Sequence, residues 1–155
     1  MNINRYVDTP ATVGLIGCII KNPVLLEQDG TYFFNDNDFV DDFYKILFGA
    51  VYNLYQTGTD TITPKTIEDY LEGKPNSLQK YKAKDGSKWV TEAVAAAELS
   101  NFPYYYDRIK KMTLLREFVK AGIDVSDIYP DSLMPDVLEK ADKRLDDLTL
   151  QDIAD

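Results

Sequence analysis

The sequence NFPYYYDRIKKMTLLREFVKAGIDVSDI (residues 101–128), continued by YPDSLMPDVLEKADKRLDDL (129–148), decides the fold. In the first part Tyr105, Ile109, Met112, Leu115, Val119 and Ile123 fall on one helical stripe, and Leu114, Phe118, Ala121, Val125 and Ile128 on the next. The pattern predicts one continuous amphipathic helix as far as Ile128. In the second part Ser132 reads as an N-cap and Pro135 sits in the first turn, where its missing N–H costs nothing. Met134, Leu138, Ala141, Leu145 and Leu148 then form a coiled-coil-like seam. The short break at Tyr129, Pro130 and Asp131 folds the two helices back as an antiparallel hairpin. Two apolar stripes on one helix exceed what a single partner helix covers. The surplus docks on the rest of the chain, or pairs with a second copy, and both are expected; the plainer reading makes every apolar position intramolecular core. The self-association candidates are Met112, Leu115, Phe118, Val119, Leu138, Ala141 and Leu145.

Before the hairpin, the sequence reads as a series of shorter helices. Thr9 and Pro10 open one through ATVGLIGCII to about Ile20. Gly14 and Gly17 each cost about 1 kcal/mol relative to Ala inside a helix, so they mark close approach of a neighbour. Asn22 and Pro23 lead into a short helix ending at Gly30, and TYFFNDND (31–38) reads as a linker. FVDDFYKILFGAVYNLYQTG (39–58) is apolar nearly all round, hence buried on most sides, and stops at Gly58. Thr63 and Pro64 start another helix that stops at Gly73, and WVTEAVAAAE (89–98) is a further one. Between them GKPNSLQKYKAKDGSK (73–88) carries Lys74, Lys80, Lys82, Lys84 and Lys88 against Asp85 alone. It reads as a solvated loop; as a functional element it is a basic contact for an acidic protein surface or a nucleic-acid strand. No strand alternation is present. The expected fold is all-α: a globular helical subdomain of about five helices over residues 1–100 with a basic loop at 73–88, a helical hairpin at 101–148, and the start of a linker or tail at 149–155.

Composition narrows the chemistry. The 155 residues are 45% hydrophobic and 12% aromatic, enough to build a core and too apolar for disorder. The net charge of -9 opposes nucleic-acid binding by the chain as a whole. There is no histidine and only one cysteine, Cys18, which removes the commonest general base and leaves carboxylates as the only metal ligands. No P-loop is present, since the single Gly-Lys pair, Gly73 and Lys74, runs into Pro75. The acidic NDNDFVDD (35–42) fails as a calcium loop: counted from Asp36, the required Gly and Glu positions hold Asp41 and Leu47. Its acids Asp38, Asp41 and Asp42 suit a helix N-terminus instead. Tyr104, Tyr105 and Tyr106 lack an interleaved basic strip and read as packing residues, not a base-stacking platform. No catalytic residues, cofactor or metal are expected. MNINRYVDTP lacks the apolar segment of a signal peptide, no run is long enough to span a bilayer, and a cytoplasmic protein of a bacterial or phage-infected cell is expected.

The ordered set PATVGLIGCIIKNPVLLEQ, DDFYKILFGAVYNLYQTG, TPKTIEDYLEG, NFPYYYDRIKKMTLLREFVKAGIDV and DVLEKADKRLDDL resembles the N-terminal domain of DnaB-type replicative helicases from about Pro10 to Leu148. The family's small-residue first helix falls on Gly14 and Gly17, and its phenylalanine-rich lead on Phe39 to Tyr44. Its threonine–hydrophobic–leucine helix falls on Thr66, Ile67 and Leu71, with a spacing that departs from the usual by one residue. Its long helix falls on Tyr105, Tyr106, Ile109, Lys110, Leu114, Leu115 and Arg116. The resemblance implies hairpins that pair between subunits of a hexameric collar, where primase and helicase loaders dock. Two departures stand out. Residues 73–88 are longer and more basic than the family's connection, and the ATPase domain with its P-loop is missing, as in an excised domain or a phage or plasmid module. The alternatives are the helicase-binding domain of a primase, which an interrupted long helix would favour, and a stand-alone regulator that mimics the collar to capture a host replication protein.

Overall fold

Prolines mark several of the helix starts and glycines several of the ends. The computed structural model describes residues 6–27 and 32–125. Among these, α1 spans Thr9–Lys21, α2 Asp42–Gln56, α3 Pro64–Leu71, α4 Pro75–Ala83, α5 Gly86–Ala96 and α6 Phe102–Lys120, with single 3-10 turns at Pro23–Leu26, Asp36–Asp38 and Leu99–Asn101. No strand occurs among the described residues, and the fold is all-α. The Asp41 carboxylate caps α2 by accepting from the Phe43 N–H at 2.8 Å. Thr63 and Thr66 cap α3 reciprocally, each hydroxyl accepting from the other's N–H, at 3.2 and 2.9 Å. Asp38 turns back to the Asn35 N–H at 2.8 Å, so the acids around NDND serve local backbone donors.

The described residues fall into two compact units, Thr9–Tyr106 and residues 6–8 with 107–125. In the first, α1 packs chiefly on α5, while α2 packs on α3 and α4. Gly17 is the contact point between α1 and α5: a Cβ there would lie 2.5 Å from the Ala93 carbonyl oxygen. Gly14 faces the Tyr105 ring, where a Cβ would come within 2.6 Å. Both glycines are close-approach points, as their cost inside a helix implies. Leu15, Ile16, Ile19, Leu47, Ile67 and Leu71 fill the centre, each side chain contributing about 1.5–3 kcal/mol by leaving water.

Three expectations about the helices need correction. Residues 73–88 are not a loop. Pro75 occupies the first turn of α4, and Tyr81 is fully buried beneath it, stacked on Phe43 at 6.2 Å. One buried aromatic anchors a helix whose other faces are polar, which charge composition alone conceals. The long helix, expected to run to Ile128, stops at Lys120. Gly122, at φ +79°, takes the left-handed position, its N–H bonds the Val119 carbonyl at 3.0 Å, and the Ile123 N–H reaches back to Phe118 at 2.9 Å. The closing apolar contact comes from Phe118 and Ile123, members of one buried cluster. The helix expected after Pro23 is a single 3-10 turn, Pro23–Leu26. The second hairpin helix, with Leu138, Ala141 and Leu145, and Gly30 lie outside the described residues.

Candidate functional site

The predicted site residues fall in two places. All five lysines, Lys74, Lys80, Lys82, Lys84 and Lys88, are exposed on α4 and its flanks. Their platform is aromatic. Trp89 packs edge-on against Phe43 at 5.4 Å and tilts over Tyr44 at 5.8 Å, and Phe43 in turn stacks on Tyr81. Burial pushes the Tyr81 phenol above its ordinary range, with Glu68 acting in the same direction and the Ser87 hydroxyl against it. Burial, assisted by Asp41, does the same to Tyr44. The Ser87 hydroxyl donates to Glu68 at 2.6 Å, which ties α3 to the start of α5. Between α4 and α5 the chain turns at Asp85, φ +52°. Lys80 reaches Asp42 at 3.2 Å with both groups well exposed, and Lys74 lies 5.8 Å over the Tyr70 ring. Lys82, Lys84 and Lys88 make no ion pair with the described residues.

The hairpin candidates Met112, Leu115, Phe118 and Val119 lie in the second unit. Met112, Leu115 and Phe118 are buried in a cluster with Tyr6, Ile123 and Val125, and Leu114 and Val119 pack against its edge. The cluster is closed by polar bonds that the sequence reading missed. The Tyr6 hydroxyl donates to the Val125 carbonyl at 3.1 Å. Arg116, itself buried, donates from Nη1 to the Tyr6 carbonyl at 2.5 Å and from Nη2 to Thr113 Oγ1 at 3.2 Å. Arg108 Nε donates to Asp8 at 2.6 Å. Residues 6–8 are thus strapped along α6. The available signal was an arginine set inside an apolar run, LLREF, where a guanidinium must find a partner.

A third feature is a groove of about 530 Å³ lined by Phe33, Phe34, Phe39, Phe48, Gly49 and Tyr52, with Asn35, Asp36, Lys45 and Asn53 among its polar residues. It belongs to the segment read as a linker, which packs instead: Tyr32 meets Phe102 at 4.7 Å and Tyr106 at 4.8 Å, and Phe34 meets Phe48 at 5.1 Å. Of the three successive tyrosines Tyr105 and Tyr106 are packing residues and Tyr104 is exposed. No group of three metal-ligating side chains gathers among the described residues. None of the described helices is long and apolar enough to cross a membrane.

What this all-α arrangement is similar to follows from comparison with known proteins. Residues 8–111 match the family model of the DnaB-like helicase N terminal domain. The chain belongs to that family. A relative, the SPbeta prophage-derived uncharacterized protein YorI of Bacillus subtilis (strain 168), is 31% identical over 147 residues, or 94% of this chain. The chain spans 29% of that relative's length. No solved structure matches. The DnaB-like family match covers the unit Thr9–Tyr106 and stops inside α6, before Met112 and Arg116. The alignment with the prophage protein is longer than that span and takes in part of the chain outside it. The DnaB-like N-terminal domain is a non-catalytic helical domain, in keeping with an architecture built on capped helices and buried aromatics.

Proposed function

We propose that this chain is the collar module of a replicative helicase, a non-catalytic domain that self-associates and docks primase or a helicase loader during DNA replication. The observation that carries the reading is the family match over residues 8–111, joined to an all-α arrangement that leads into the long helix α6. Self-association is assigned to the hairpin. Because Met112, Leu115 and Phe118 are covered within the chain, they form the floor under the contact. Val119, only partly buried, and the seam Leu138, Ala141 and Leu145 are the residues proposed to meet the partner copy. Docking of the acidic surface of a replication partner is assigned to the lysines of α4.

A second reading has one observation in its favour. The long helix ends at Lys120, before Gly122, short of the continuous run to Ile128 that spoke against the helicase-binding domain of a primase, whereas the family match favours the helicase collar. Light scattering or sedimentation across concentration separates them, alongside Leu138→Asp and Leu145→Asp. A concentration-dependent dimer or higher ring that is lost in the variants, with helicity retained, is the result expected. A monomer at every concentration would overturn the collar reading and leave the primase-like domain or a stand-alone regulator.

A further inference from the structure

We propose that the lysines of α4 and the first turn of α5 bind an acidic polypeptide segment of the partner, with Lys82, Lys84 and Lys88 as the contact and Lys80 beside them. The inference rests on the docking role proposed above and names the chemistry of its partner. A charge run in a mobile loop would lose affinity to ordering, about 1–2 kcal/mol for each residue that the contact fixes. Here the backbone is already ordered. The buried Tyr81 ring fixes α4, Trp89 fixes the start of α5, and the lysine side chains project from a helical frame. Lys80 and Lys82 stand in the last turn of α4, Lys84 follows as its C-cap, and Lys88 stands in the first turn of α5, all of them exposed. Three of these cations have no carboxylate partner among the described residues, in a chain with a net charge of -9. The patch is therefore a local positive potential on an acidic molecule, complementary to a short acidic segment.

Three features favour a polypeptide over a nucleic-acid strand. A long polyanion would extend beyond the patch and meet the repulsion of the whole acidic chain. The aromatic rings of this region, Tyr81 and Trp89, are engaged with Phe43 and Tyr44 and offer no stacking platform for bases. The patch holds lysine alone, point charges without the fork that grips phosphates two bonds at a time, and the arginines Arg108 and Arg116 are committed to the strap on α6.

The test uses the whole chain and two probes of matched formal charge, a fluorescent polyglutamate peptide and a thymidine oligonucleotide, titrated at low and at physiological salt. The peptide is expected to bind more tightly than the oligonucleotide and to weaken with salt. Charge reversal at Lys82, Lys84 and Lys88 together is expected to weaken it by about tenfold or more, from the modest worth of each exposed pair. A control that reverses Lys45, Lys65 and Lys120 is expected to leave binding within about twofold. Circular dichroism verifies that both triple variants fold. Equal loss in the two variants, or no binding by the parent chain, would overturn the site, and tighter binding of the oligonucleotide would overturn the partner class. The mass of the charge-reversed chain distinguishes the levels: self-association that survives loss of peptide binding leaves the collar reading standing whatever happens to the lysines.

Discussion

The unit Thr9–Tyr106 closes chiefly with apolar and aromatic contacts between neighbouring helices, whereas residues 6–8 and 107–125 add to an apolar cluster a buried guanidinium, a tyrosine hydroxyl and the Arg108–Asp8 salt link. In the first unit rings and bare glycine backbone make the closest contacts. In the second, Lys111, Thr113 and Arg116 are buried on the same helix as Met112 and Leu115. An apolar interface tolerates small shifts because dispersion is summed over many weak contacts. A buried charge does not, because losing its partner leaves the full desolvation penalty. Among the described residues, the second unit thus includes contacts with steep individual costs.

Arg116→Ala should expose that difference most. It deletes the bonds that the buried guanidinium makes to the Tyr6 carbonyl and to Thr113. A loss of about 3 kcal/mol is expected in urea unfolding, at the upper end of hydrogen bonds to charged groups. Arg116→Lys should recover less than half of it, since an ammonium cannot make both bonds in that plane. Cost-free removal of the guanidinium would mean that the apolar cluster alone closes the second unit.

Two glycines sharpen the comparison inside the first unit. Gly17→Ala drives a methyl into the Ala93 carbonyl, a backbone atom that cannot swing aside, and about 2 kcal/mol of destabilisation is expected. Gly49, in the middle of α2, has nothing within 4 Å of where a Cβ would stand. Gly49→Ala should therefore stabilise by about 0.5–1 kcal/mol, mostly by restricting the unfolded chain. The pair is read by thermal unfolding of the two single variants, and shifts of the same sign would contradict the placement of one of them. Gly49 lies in the aromatic groove, so the wild-type glycine keeps open a space that this unit does not itself fill.

How much of this was legible depended on range. Signals that act within one turn were legible: Thr63 with Pro64 at α3, and Gly58 after α2, whose φ is +97°. The apolar run from Phe39, by contrast, hid that α2 begins only at Asp42, behind the Asp41 cap. Gly14 and Gly17 announced close packing because a helix tolerates glycine poorly without a reason. The α4 helix was hidden because lysine, serine and proline dominate its composition, while the one residue that anchors it, Tyr81, makes its contact with Phe43, far away in sequence. Gly122 was visible in the sequence as a stop signal, but the apolar periodicity continuing through Val125 masked it; Val125 is buried although it lies beyond the helix. The Tyr6 and Asp8 strap was not legible at all. Its partners Arg116 and Arg108 are about a hundred positions along the chain, and no local pattern encodes such a pairing. The lysines were found as a charge run, and only the structure supplied the rigid frame that makes them a surface.

The smallest expected effect comes from an exposed contact of the first unit. The Tyr55 hydroxyl donates to the Glu27 carboxylate in a short hydrogen bond, and that bond, with Glu27 and Asp60 nearby as negative charges, pushes the phenol up to about 12. The folded state therefore holds its proton where the unfolded chain, at an ordinary value of about 10, releases it. Stability from this contact is fully present below pH 10 and is lost as the pH rises from there to about 12. Phenolate absorbance should show Tyr55 among the last tyrosines to ionise, together with Tyr44 and Tyr81, which burial also pushes up. Tyr55→Phe should remove one late-titrating phenol and flatten the alkaline fall in stability, while leaving the neutral-pH fold intact because the ring stays. An unchanged number of late phenols in the variant would show that the contact with Glu27 does not hold in solution. Raising ionic strength should weaken the shift of Tyr55, whose pair faces solvent, more than those of Tyr44 and Tyr81, whose shifts come from burial.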